Sequence, residues 1–81
     1  MNSESNPHGE EALEARYANC LKVGHNAFEF VLVFGQLYAD RHDMLSHTRI
    51  VTGPQYAKVF LEILSGSIDQ YEKVHGPIQK K

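Results

Sequence analysis

The chain has a single cysteine, Cys20, among 81 residues, which excludes an intrachain disulfide. A lone thiol fits a reducing compartment. A basic block is missing as well: the eight Lys and Arg residues are scattered, and the largest cluster is the terminal Lys80-Lys81 pair. The formal net charge is -2, so nucleic acid is not the default partner, because phosphate binding rests on converging Lys and Arg. Long apolar runs are absent. The longest, Phe30 to Phe34, falls far short of the roughly 20 residues of a membrane-spanning helix, and no membrane partner is expected. Met1 to His8 carry no basic segment and no apolar core, so no Sec signal is expected and the cytoplasm is the expected location. There is no phosphate loop, dinucleotide glycine pattern, paired-cysteine zinc motif or nucleophile elbow. Neither a catalytic residue nor a cofactor is therefore assigned.

What is present is a dense apolar centre. Ala27 to Gln36 reads Ala-Phe-Glu-Phe-Val-Leu-Val-Phe-Gly-Gln. Strand residues alternate between two faces. One phase holds Phe28, Phe30, Leu32 and Phe34, and the other holds Glu29, Val31 and Val33. One face is intensely apolar and the other mostly so. A domain of this size buries only roughly 60% of its unfolded surface, and few elements are on hand to cover both faces. Oligomerisation would relieve that shortage.

Around this centre the pattern predicts one α+β domain over residues 15–78. Residues 1–14 form a flexible acidic tail with Glu4, Glu10, Glu11 and Glu14, and residues 79–81 a short C-terminal tail. A first strand is expected from Arg16 to Val23, a turn at Gly24-His25-Asn26, and a second strand from Ala27 to Phe34. Glycine and asparagine tolerate the positive φ of such a turn, and an antiparallel hairpin follows. Gln36 to Asp43 is a polar connection. Met44 to Val51 is a third strand, with Met44, Ser46, Thr48 and Ile50 on one face and Leu45, His47, Arg49 and Val51 on the other. Polar residues on both faces suit an edge or an oligomer seam.

Thr52-Gly53-Pro54-Gln55 starts a helix. Either Thr52 and Gln55 form a capping box, or Gly53 is the N-cap with Pro54 at N1. The helix is expected to run to Val74 or His75, stopped by Gly76-Pro77. Ala57, Phe60, Leu61, Leu64, Ile68 and Tyr71 form one stripe, and Tyr56, Val59 and Ile63 widen it. Gly66 in mid-helix costs about 1 kcal/mol against alanine; a close helix crossing and a neutral surface position both account for it. The predicted architecture is β-β-β-α: a three-stranded antiparallel sheet followed by one long helix. The helix is expected to cover the Phe28, Phe30, Leu32, Phe34 phase.

The remaining apolar surface predicts self-association, with a homodimer seam drawn from Glu29, Val31, Val33, Arg49, Tyr56, Val59 and Ile63. A monomer with a modestly apolar outer face is the alternative. At a seam Glu29 would pair with Arg49 or Lys22. Chemistry is less legible. His42, Asp43 and His47 are the only metal candidates, since histidine and carboxylate bind zinc or another divalent ion, but their spacing matches no helical pair. A solvated loop with a histidine on an edge strand is the stronger reading. Cys20 reads as a small buried hydrophobe, with no base in sequence to activate it.

Three segments, Arg16-Tyr17-Ala18-Asn19, Gly24 to Gln36 and Arg49 to Lys58, together with Ile68 to Ile78, resemble the small bacterial domain-of-unknown-function family numbered 3467. The resemblance spans about Arg16 to Ile78. It implies short stand-alone proteins of strands followed by a long helix, and no activity. Phe28-Glu29-Phe30 and Gly35-Gln36 match recurring family features. Val33 stands where an acidic residue is common, and Gly53 where serine is common. The first departure makes the outer sheet face more apolar, and the second leaves capping to Thr52 or the backbone. The expected function is a small homodimeric adaptor or structural protein-interaction module without intrinsic catalysis. A nucleic-acid-binding regulator using a dimeric β-ribbon or paired helices is second; it needs Lys22, Arg41, Arg49 and Lys58 to converge. A small enzyme or metal protein with a site between subunits is third.

Overall fold

A computed structural model describes residues 12–80. Most of the expected acidic tail, residues 1–11, and Lys81 lie outside the described residues. The order is β1 (Cys20–His25), β2 (Phe30–Gln36), β3 (Leu45–Thr52) and α1 (Pro54–His75). The strands form one antiparallel sheet in the order β1-β2-β3. The predicted β-β-β-α architecture holds.

The first hairpin lies further along the chain than the glycine suggested. Gly24 and His25 belong to β1 and pair with Val31 and Phe30, and Gly24 has no positive φ. The turn is made by Asn26 instead. Its Oδ1 accepts the backbone N–H of Phe28 at 2.8 Å and of Glu29 at 3.0 Å. Its own N–H donates to the Glu29 carbonyl at 3.0 Å. A side-chain amide that captures two successive N–H groups holds the backbone in a turn. Residues 27–29 are thereby withdrawn from the ladder. Phe28 leaves the strand it was assigned to and is 84% exposed.

At the other end of the hairpin, Asn19 explains why β1 starts late. Its N–H still bonds to the Gly35 carbonyl at 3.1 Å. Beyond that, its side chain replaces the backbone: Nδ2 donates to the Leu37 carbonyl at 3.1 Å, and Oδ1 accepts the Leu37 N–H at 2.8 Å. Arg16 to Asn19 therefore run beside the sheet without being part of it.

The alternation expected of β3 breaks at a bulge. Phe34 pairs with Thr48, but Gly35 pairs with Ser46, which leaves His47 as the extra residue. Beyond it Leu45 stands opposite Gln36, so Ser46 and Thr48 are not on one face. Gly35 makes this possible. A Cβ at that position would lie 2.6 Å from the Leu45 carbonyl oxygen and 2.7 Å from Met44 Cε. Only a residue without a side chain lets the start of β3 come that close. Gly35 is the one buried residue among those described.

The helix begins in the second of the two predicted registers. Gly53 is the N-cap, no side chain caps it, and Pro54 occupies the first turn. Pro54 has no N–H to satisfy there. Gly76 ends the helix at φ 89°, with its N–H on the Glu72 carbonyl at 2.9 Å. The Glu72 carboxylate accepts the Ile78 N–H at 2.9 Å and pins the exit. Lys73 and His75 sit in the last turn, where the helix dipole favours cations.

The expected covering of the sheet is incomplete. Residues paired across strands share a face, so Leu21, Val23, Leu32, Phe34 and Ile50 stand together. The helix meets this face at Phe30 and Leu32 and leaves a cleft of about 190 Å³ between itself and β2. No apolar side chain among the described residues is buried.

Candidate functional site

The cleft is walled by Phe30 and Leu32 from β2 and by Ala57, Phe60, Leu61 and Leu64 from α1. None of the six carries a charge or a side-chain hydrogen-bonding group. Its surroundings are equally apolar. Leu21, Val23 and Ile50 on the sheet, and Phe60, Leu61, Leu64, Ile68 and Tyr71 on the helix, are each between 39% and 67% exposed. At roughly half of the ~200 Å² that large side chains carry, these eight leave on the order of 800 Å² open. Ordinary monomers show a largest apolar patch of about 300–600 Å². These side chains present apolar surface and no reacting group.

The helix has a second apolar strip. At about 100° per residue, Tyr56, Val59 and Ile63 lie beside the cleft-facing stripe, so the first half of α1 is apolar over about 200° of its circumference. All three are exposed. Gly66 lies on this side, and a Cβ there would meet nothing within 4 Å. The close crossing considered for Gly66 is not made within the chain.

The opposite face of the sheet differs in charge. Lys22, Val33 and Arg49 form one cross-strand row, with Gly24, Val31 and Val51 in the next row but one. Neighbouring strands are about 4.8 Å apart, which places two cations roughly 10 Å from one another across a valine. Glu29 is in the Asn26 turn, and the ion pair with Arg49 or Lys22 is not made within the chain. Among the described residues the only ion pair is Arg16 with Glu14, at 2.8 Å and open to solvent. Of the seven residues expected at a seam, Val31, Val33 and Arg49 share this sheet face. Tyr56, Val59 and Ile63 share the second helix strip, and Glu29 stands apart in the turn.

The bulge gives His47 a structural position. Its Nε2 is 2.9 Å from the Tyr17 carbonyl and its Nδ1 is 2.7 Å from Thr48 Oγ1. A carbonyl only accepts, so Nε2 carries the proton and donates. His47 thus ties the segment before β1 to β3, across the middle strand. A shallow depression of about 570 Å³ lies here, lined by Glu14, Arg16, Ala18, Phe34, His47 and Thr48. His42 and Asp43 are exposed in the β2–β3 connection. Among the described residues no three His, Cys, Asp or Glu side chains come together as a metal site, so His42, Asp43 and His47 do not form one. Cys20 is half-buried at the start of β1, opposite Gly35.

The pattern sets the Phe60, Leu61 and Leu64 stripe of the helix over the Phe28, Phe30, Leu32, Phe34 phase as a covered interior. Their placement on an open face was not anticipated, because an apolar stripe records that a face needs cover without recording what supplies it. Among the described residues no helix is long and apolar enough to cross a membrane.

No curated protein and no solved structure matches the chain. Residues 4–80 match the family described as protein of unknown function, DUF3467, and the chain belongs to that family.

Proposed function

We propose that this member of the DUF3467 family is a self-associating protein-interaction module without intrinsic catalysis, working as a homodimeric adaptor or structural unit. One observation carries the reading: no apolar side chain is buried among the described residues, although three strands and a 22-residue helix are formed. Apolar burial is the dominant favourable term in folding. Secondary structure of this extent needs an interior, and a second chain supplies one. The open surface is also of the right size, since a stable interface takes about 800 Å² from each partner.

Lys22 and Arg49 give the runner-up, nucleic-acid binding, a partial footing on one sheet face. Arg41 lies in the β2–β3 connection and Lys58 in α1, so the four cations named for that role belong to separate surfaces. The protein-interaction reading is the stronger one.

Light scattering behind a sizing column tests it, with the protein diluted from tens of micromolar downward. A dimer mass is expected, together with a thermal midpoint that falls on dilution, because association stabilises by mass action. A folded monomer at tens of micromolar, with a midpoint independent of concentration, sinks the reading.

A further inference from the structure

We infer that a second copy of the chain closes the cleft between β2 and α1, its helix lying antiparallel against the open, cleft-facing stripe of the first, with the two-fold axis passing near Leu64. The inference rests on the self-association proposed above and adds the location of the seam.

The stripe that faces the cleft is self-complementary about Leu64. Ala57 and Tyr71 stand seven residues to either side, and Phe60 and Ile68 four. In an antiparallel isologous pair centred there, each residue meets its mirror position on the partner. The smallest side chain, Ala57, then faces the largest, Tyr71, and Phe60 faces Ile68. Small opposite large lets two helices approach to the usual 8–10 Å.

Area and charge agree with this seam. The open surface of about 800 Å² per chain equals what one partner contributes to a standard interface. The stripe and the sheet face beneath it contain no charged residue, so neither copy desolvates an ion on closing. Self-pairing through the other sheet face would bring Lys22 and Arg49 against their own copies. Bringing like charges together out of water is unfavourable.

Cross-linking tests the seam in the full-length chain. With Cys20→Ser as background, Leu64→Cys and Ile63→Cys are compared under mild oxidation, and each is sized before and after. Leu64→Cys is expected to give a covalent dimer of unchanged mass, and Ile63→Cys to give little. Cross-linking through Ile63→Cys alone, with a dimer still present, overturns the seam but leaves self-association standing. A monomeric wild type overturns both. Leu61→Glu provides a second measurement. It is expected to raise the dimer dissociation constant by roughly a hundredfold, as truncated interface anchors do, while Leu61→Met keeps the dimer. A Leu61→Glu protein that retains wild-type dimer affinity overturns the seam.

Discussion

Gly35 lies directly against the backbone of Leu45. A Cβ on it would stand 2.6 Å from the Leu45 carbonyl oxygen, on the central strand and beside the bulge. That atom belongs to the main chain and cannot rotate aside. Gly35→Ala is predicted to cost about 1–3 kcal/mol, the range for overpacking. Gly24 is the control: it also sits in a strand, has open space around its Cα and does not use a positive φ. Gly24→Ala is predicted to add about 0.5–1 kcal/mol of stability. Urea unfolding of both variants at one protein concentration checks the opposite signs.

Asn26 holds the first turn through one oxygen that accepts two N–H groups. Asn26→Ala removes both bonds and is predicted to cost about 1–2 kcal/mol. Asn26→Asp keeps the acceptor and is predicted to lose less than half of that. The comparison of unfolding midpoints decides it, and equal losses in the two variants would count against the acceptor role.

His47 tethers the chain before β1 through the Tyr17 carbonyl. His47→Ala is predicted to release this segment while the sheet persists. Limited trypsin digestion reads the change: cleavage after Arg16 speeds up several-fold, and cleavage after Lys58 in the helix stays as in the wild type. Unchanged cleavage after Arg16 would mean that the tether contributes nothing.

Gly66 meets nothing within 4 Å and lies on the side of α1 away from the inferred seam. Gly66→Ala is predicted to stabilise the protein by about 1 kcal/mol, the helix-propensity difference, and to leave the assembled mass unaltered. Calorimetry with sizing checks both. A drop in stability or mass would place a close helix contact at Gly66 instead.

Strand count, the pairing of the first two strands and the helix were legible in the sequence because each depends on local signals. Alternation marked the strands, and Gly53-Pro54 and Gly76-Pro77 marked the two ends of α1. Hairpin register was not legible. Gly24 and Asn26 both suit a turn, and the choice fell to Asn26 because its side chain bonds two amides that a glycine would leave open. The bulge at His47 was hidden for another reason. Residues 44–51 are polar and apolar on both phases, so a slip of one residue changes no pattern, and the slip depends on a contact with Gly35 in another strand. The open cleft was least legible. The stripe on α1 shows that the helix has an apolar side, but the distance between that side and the sheet is a tertiary quantity.

β3 and α1 are separated by a single residue, Gly53. The helix is about 33 Å long at 1.5 Å per residue, so it behaves as a lever with its fulcrum at one end. A rotation of about 10° at Gly53 carries the far turn about 6 Å. Whatever fills the cleft near Phe60 therefore also decides where Tyr71 and His75 stand, about three and four turns away. The width of the cleft and the position of the helix tip are one degree of freedom.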